Sequence, residues 1–146
     1  MKKISRSAIV EHGAQHLYAL VEDIEAYPQF LPWCLETRVQ RGAQGTRATL
    51  SVGMAGLRQS FTTQNENHPG ESIEMRLVEG PFRLFAASWH FRALSEHGCR
   101  IDFSLQYDFS SRALARALEP LFERIANTMV DAFTRRADEV YGKHPG

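Results

Sequence analysis

Between Leu35 and Phe109 apolar and polar residues alternate with a period of two, and beyond Ser111 the period lengthens to three or four. In the last of the alternating runs, Ile101, Phe103, Leu105, Tyr107 and Phe109 are interleaved with Arg100, Asp102, Ser104, Gln106 and Asp108. Such a strand has one apolar face and one wet face. In the segment that follows, Leu114, Leu118, Leu121, Ile125, Met129, Phe133, Ala137 and Val140 form a stripe at helical spacing, opposite Arg116, Glu123, Asn127, Asp131 and Arg135. A long one-sided helix has to lie on an apolar surface, and the upstream strands supply one most simply as a curved antiparallel sheet wrapped around it. The predicted class is α+β, and that arrangement has room for a lipid-sized cavity between its two layers.

The rest of the chain fits the same plan. Ile4, Arg6, Ala8 and Val10 alternate with Lys3, Ser5, Ser7 and Ile9, which predicts a first strand with weakly distinguished faces, ending at His12-Gly13. Leu17, Tyr18, Leu20, Val21 and Ile24 then recur at helical spacing, and one further turn reaches Phe30 before Pro32, so two short helices are expected after the first strand. Alternation resumes with Leu35, Thr37 and Val39, continues through Ala48, Leu50, Val52 and Met54, then around Phe61, then through Ile73, Met75 and Leu77. Turns fall at Gly42-Ala43-Gln44-Gly45, near Gly56, at His68-Pro69-Gly70, at Gly80-Pro81 and at Ser95-Glu96-His97-Gly98. No connection is long enough for a crossover helix, so the strands are expected to form an antiparallel meander. Pro120 predicts a kink, or a short separate helix over 112–118 with the main helix starting near Glu119. Without repeats, linkers or low-complexity tracts, residues 1–146 read as a single domain.

Composition narrows the function. An apolar fraction of 43% with 10% aromatics is enough for one packed core, and 23% charged residues suit a soluble protein. Formal net charge is zero, which argues against a broad electrostatic grip on DNA, on other nucleic acid or on an anionic membrane, while leaving room for a local basic patch. The N-terminal residues lack the continuous apolar core of a signal peptide, and no stretch approaches the ~18 apolar residues of a transmembrane segment. A cytoplasmic location follows as an expectation. Cys34 and Cys99 lie far apart and outside any C-x-x-C spacing, so reduced thiols are expected.

Two segments concentrate unusual residues. Tyr27-Pro28-Gln29-Phe30-Leu31-Pro32-Trp33-Cys34 holds four large apolar side chains within eight residues that two prolines keep from being regular helix or strand. It is either a rigid corner closing one end of the core or the mouth of an apolar pocket. Glu79-Gly80-Pro81-Phe82 is either a turn between strands or a second part of that mouth. The histidines are scattered, with neither an H-E-x-x-H zinc spacing nor a G-x-S-x-G elbow. No metal or cofactor is expected.

Asp23, Tyr27-Pro28, Phe30-Leu31-Pro32-Trp33-Cys34, Glu79-Gly80-Pro81-Phe82, Trp89-x-Phe91, Cys99-Arg100-Ile101-x-Phe103, Met129-Val130-x-Ala132-Phe133 and Arg136-Ala137-x-x-Val140-Tyr141 occur in an order and spacing that resemble the coenzyme-Q-binding START-like proteins of the polyketide cyclase (SRPBCC) group. The resemblance is greatest to their bacterial branch of ribosome association toxins, and it spans nearly the whole chain. It implies a helix-grip fold with a deep apolar cavity and, as the first expectation, non-catalytic binding of ubiquinone or a similar polyprenyl lipid in support of respiration. The expected walls are Trp89, Phe91, Phe103, Leu105, Tyr107, Met129 and Phe133, with Leu31, Trp33 and Phe82 at the mouth; ordinary core packing is the alternative for each. The second expectation is binding to the large ribosomal subunit with a block of subunit association. Arg112, Arg116, Arg124, Arg135 and Arg136 are its candidate contacts, although Glu119, Glu123, Asp131, Asp138 and Glu139 share their segment. Some START-like proteins are cyclases or hydrolases, for which Asp23, Glu79, His90 and Tyr107 are the available acids and bases. His90 is expected on the wet face opposite Trp89 and Phe91, so catalysis ranks third.

Overall fold

The computed structural model describes residues 1–142. Among these, seven strands form one antiparallel sheet: β1 (Lys2–Val10), β2 (Cys34–Gly42), β3 (Gly45–Met54), β4 (Leu57–His68), β5 (Ser72–Glu79), β6 (Phe82–Ser95) and β7 (Gly98–Phe109). The order across the sheet is β1-β7-β6-β5-β4-β3-β2. Strands β2 to β7 are the predicted meander, each paired with its successor in sequence. Strand β1 joins the far edge, pairing Lys2 with Tyr107 and Val10 with Cys99. Because β1 and β2 occupy opposite edges, the chain between them has to cross a face of the sheet. It does so as helix α1 (Ala14–Glu22) and a 3-10 turn (Ile24–Gln29), the two short helices that the spacing of Leu17 to Ile24 implies.

Helix α2 (Arg112–Tyr141) lies against the apolar face of the sheet. Its start is set by Ser111, whose Oγ accepts a hydrogen bond from the Leu114 amide at 3.1 Å. The helix is continuous through Pro120, so the separate helix expected over 112–118 does not form. Proline in a helix interior costs about 3 kcal/mol. Leu118, Leu121 and Phe122 flank it and are buried, and each fully buried side chain of this size contributes roughly 1.5–3 kcal/mol, so burial outweighs the lost hydrogen bond.

The apolar stripe on α2 is also displaced from the predicted one. Leu118, Leu121, Phe122, Ile125, Ala126, Val130, Phe133 and Ala137 are buried, Met129 is half-buried, and Val140 is 49% exposed. A period of 3.6 walks around the helix, and the sheet beneath decides which neighbour of each pair faces it. Two contacts anchor the helix to β1 and to the loop after it: the Lys2 ammonium reaches Glu119 and Glu123 at 3.2 and 2.6 Å, and the buried His12 ring meets Asp138 at 2.8 Å. No described helix is long and apolar enough to cross a membrane.

Candidate functional site

Between α2 and the sheet the predicted wall residues fall into two aromatic groups. Around Trp89, the ring of Phe103 lies at 4.7 Å, Phe133 at 5.3 Å and Phe91 at 6.1 Å. Sheet register produces this group, since Trp89 on β6 is directly opposite Phe103 on β7 and Ile73 on β5. Phe133 comes down from α2 and meets Phe30 and Tyr27 at 5.1 and 5.4 Å, which joins the group to the 3-10 turn and the residue after it. The Tyr27 hydroxyl donates to the Val21 carbonyl, and the Arg136 guanidinium covers the Phe30 ring at 5.0 Å.

The second group surrounds Phe82. Its ring stacks on Phe109 at 5.1 Å, meets Phe122 edge-on at 5.1 Å and contacts Phe85, Phe61 and Tyr107 between 5.1 and 6.1 Å. Phe82 thus lies inside an aromatic cluster. Gly80 makes this possible, because a Cβ there would come within 2.8 Å of Phe61 Cβ. The adjoining Pro81 carbonyl accepts from both the amide and the Oγ of Ser110, at 3.0 and 3.1 Å, which ties the turn to the start of α2.

Tyr107 is the polar exception in this group. It is 1% exposed, and among the described residues its hydroxyl has no hydrogen-bond partner. Burial first, then the carboxylates of Glu119 and Glu123, push its pKa up to about 12, with Lys2 opposing. A neutral phenol in an aromatic interior is a donor and acceptor waiting for a polar group. On β3 and β4, polar side chains pair with one another: Thr63 Oγ1 donates to Asn65 Oδ1 at 2.8 Å, and Asn67 Nδ2 donates to Thr46 Oγ1 at 3.0 Å.

Leu31 and Trp33 form a corner between the 3-10 turn and β2, both buried. Trp33, with Pro32, Leu35, Met54, Ala55, Leu57, Arg58 and Arg124, lines a cleft of about 500 Å³ between this corner, the β3–β4 turn and α2. Gly53 makes the corner and the turn meet: its amide donates to the Trp33 carbonyl at 2.9 Å, and a Cβ would come within 2.3 Å of the Leu57 carbonyl oxygen. Phe82 does not line this cleft, so the two predicted parts of the mouth are separate. Leu105 is buried on β7 and Met129 is half-buried on α2. Of the four candidate acids and bases, Asp23, Glu79 and His90 are exposed, and only Tyr107 is interior. Cys34 and Cys99 are free and buried, and burial pushes both thiols up to about 11.

Sequence reasoning missed Phe122, which joins the two layers, and the cleft residues Met54, Leu57 and Arg58. Phe122 is four residues from Leu118 and Ala126, a spacing the sequence does display. The cleft residues come from strands and a helix distant in sequence, and carry no local signal. On the outer face of the sheet an open groove of about 950 Å³ crosses from β4 to β1, with Ser88 and Ser104 among its lining and Lys3, Arg76, Glu66 and Glu74 as its charged groups.

Surface charge on α2 is less balanced than its composition. Glu119 and Glu123 share the Lys2 ammonium, Asp138 bonds to the His12 ring and Glu139 pairs with Arg136, so among the described residues Asp131 is the carboxylate of this helix without such a contact. Arg112, Arg116, Arg124 and Arg135 are exposed and form no ion pair among the described residues. The helix therefore presents four unpaired cations in a chain whose net charge is zero.

Residues 10–134 match the model of a family described as "Polyketide cyclase / dehydrase and lipid transport". The chain is 44% identical to "Ribosome association toxin RatA" of Pseudomonas aeruginosa over 140 residues, which is 95% of this chain and 97% of that protein. It is 26% identical to "Coenzyme Q-binding protein COQ10 homolog B, mitochondrial" of Xenopus laevis over 95% of this chain and 59% of that one. In fold it resembles the Zhui aromatase/cyclase of a Streptomyces species, with a TM-score of 0.82, 16% identity and coverage of 94% and 93%. A START superfamily protein of Mycobacterium smegmatis aligns at a TM-score of 0.79, 20% identity and coverage of 94% and 98%. The helix-grip architecture expected from the sequence is the one these structures share.

Proposed function

Since this chain belongs to the polyketide cyclase / dehydrase and lipid transport family, we propose that it is a non-catalytic helix-grip protein that acts in the cytoplasm at ribosome association, through the arginine face of α2. The observation that carries this reading is the set of four exposed, unpaired arginines, Arg112, Arg116, Arg124 and Arg135, on a helix whose carboxylates are mostly taken up elsewhere. Similarity over nearly the full length, at 44% identity, to a ribosome association toxin supports it. Ribosomal RNA presents phosphates at high density, and cations that release its counterions give affinity that falls steeply with salt. Charge reversal at Arg116, Arg124 and Arg135 is therefore expected to abolish co-sedimentation with the large ribosomal subunit, while the parent protein binds with strong salt dependence. Co-sedimentation unchanged in the reversed variant would overturn the reading.

A second reading concerns the interior. The unpartnered Tyr107 hydroxyl among the rings of Phe82, Phe109 and Phe122 fits the polar end of an otherwise apolar ligand, and the distant coenzyme-Q-binding relative supports a polyprenyl quinone in that role. Trp89, Phe91, Phe103, Leu105, Met129 and Phe133 would line the isoprenoid path. Each buried methylene contributes about 0.8 kcal/mol, so a few isoprene units suffice for retention. Mass spectrometry of lipid co-purifying with the native protein is expected to show a quinone that Tyr107→Phe releases more readily. Preparations free of lipid, with no uptake of added ubiquinone, would end this reading and leave the ribosome reading untouched.

A further inference from the structure

We propose that the β3–β4 turn and the adjoining cleft form a docking surface for a phospholipid bilayer, with the apolar turn entering the acyl layer and Arg124 meeting headgroup phosphate. Three of the other four hairpin connections carry polar residues at their tips, with Gln44 between β2 and β3, Glu71 between β4 and β5, and Glu96-His97 between β6 and β7, while in the fourth, Gly80-Pro81 between β5 and β6, the proline is buried and its carbonyl is bonded to Ser110. The β3–β4 turn instead reads Met54-Ala55-Gly56-Leu57 and offers no polar side chain. Its backbone is held in the left-handed region at both central positions, with φ of 52° at Ala55 and 83° at Gly56. Asparagine or glycine serves that conformation at less strain than alanine and is the usual choice in such hairpins. Alanine stands where turn chemistry favours asparagine or glycine.

This turn does not stand alone. Met54 is 36% exposed and Leu35 beside it is 44% exposed, two of the few large apolar side chains at the surface. With Pro32 and Leu57 they surround a cleft whose charged lining consists of Arg58 and Arg124, without a carboxylate. Arg58 is neutralised by Glu36 at 3.0 Å, which leaves Arg124 as the uncompensated cation. Exposed apolar side chains beside an uncompensated cation match the layering of a membrane interface, where hydrocarbon lies just beneath anionic phosphates. Phosphate is common to lipid headgroups and to RNA, but only the bilayer also accommodates the apolar turn. The proposal is independent of the ribosome reading except for the shared Arg124.

The test is flotation of the full chain with vesicles of phosphatidylcholine containing one quarter phosphatidylglycerol, and with phosphatidylcholine alone. The protein is expected to float with the anionic vesicles. Met54→Ser combined with Leu35→Ser should lower the bound fraction at least tenfold, with the melting temperature lowered by no more than a few degrees because both side chains are already partly exposed, and with ribosome co-sedimentation intact. Arg124→Gln should weaken binding a few-fold to the anionic vesicles and leave phosphatidylcholine binding as it was. Absence of flotation, or flotation equal in the double-serine variant, would overturn the proposal. So would a dimer of the parent protein that the double-serine variant converts to monomer, since the turn would then be covered by a second copy. Loss of ribosome co-sedimentation with flotation intact would reassign the turn to the ribosome contact.

Discussion

Tyr107 has its hydroxyl in an aromatic interior with no partner among the described residues, although alternation along β7 marks only that its ring faces inward. An unsatisfied buried hydroxyl costs about 1–3 kcal/mol. Tyr107→Phe is therefore expected to stabilise the ligand-free protein by on the order of 1 kcal/mol, read as a rise of a few degrees in melting temperature. A drop in stability instead would mean that the hydroxyl makes a bond in the folded protein, and the case for a polar ligand group at this site would fall with it. Neighbouring Phe82 shows the limit of local reading. A Gly-Pro-Phe corner is visible in the sequence, but the ring is carried into a cluster by Gly80 packing against Phe61 and by Pro81 bonding to Ser110, both distant in the chain.

At the level of elements, α2 tests how far periodicity alone is reliable. Leu118, Leu121, Ile125, Phe133 and Ala137 are buried as their spacing predicts, whereas Val140 is half exposed and Phe122 is buried. Phe122→Ala should destabilise by about 3–5 kcal/mol by opening a cavity in the cluster around Phe82. Val140→Ala should stay within about 0.5 kcal/mol, as for an ordinary surface position. Urea unfolding midpoints separate the two, and equal losses would contradict the orientation of the helix described above. Pro120 belongs at this scale too, because the choice between a broken and a continuous helix is made by the burial on either side of it.

For the whole molecule, the buried titratable groups set a limit on the alkaline side. Burial raises the Cys34 and Cys99 thiols to about 11 and Tyr107 to about 12, and it also raises Tyr27. These groups are acids whose folded pKa lies above the unfolded value, near 8.5 for a thiol and about 10 for a phenol. The folded state therefore binds more protons than the unfolded one through that interval, and stability falls as pH rises. Urea midpoints should be level up to about pH 8.5 and decline between there and about 12. Tyr107→Phe should make the decline above about 10 shallower without abolishing it, because Tyr27 and the two thiols still contribute there, and a profile flat to pH 12 would show that these groups are not protected by burial.

What the sequence determined by itself was everything that repeats locally. Period-two alternation specified the strands, turn residues separated them, and the absence of a crossover between strands made the sheet a meander. The one-sided helix required a sheet beneath it, and the resemblance of motifs across the chain identified the family. Tertiary structure decided what depends on pieces far apart in the chain. The edge position of β1, the face of α2 that carries Phe122, the passage of the helix through Pro120 and the cleft between Trp33, Met54 and Arg124 each arise from packing between segments with no common local pattern. Charge followed the same rule: composition counted the helix as balanced, but Lys2 and His12 reach α2 from β1 and from the loop after it, and leave its arginines unpaired. Local periodicity reports which face of an element is apolar, while long-range packing settles what that face meets and what the other face is free to bind.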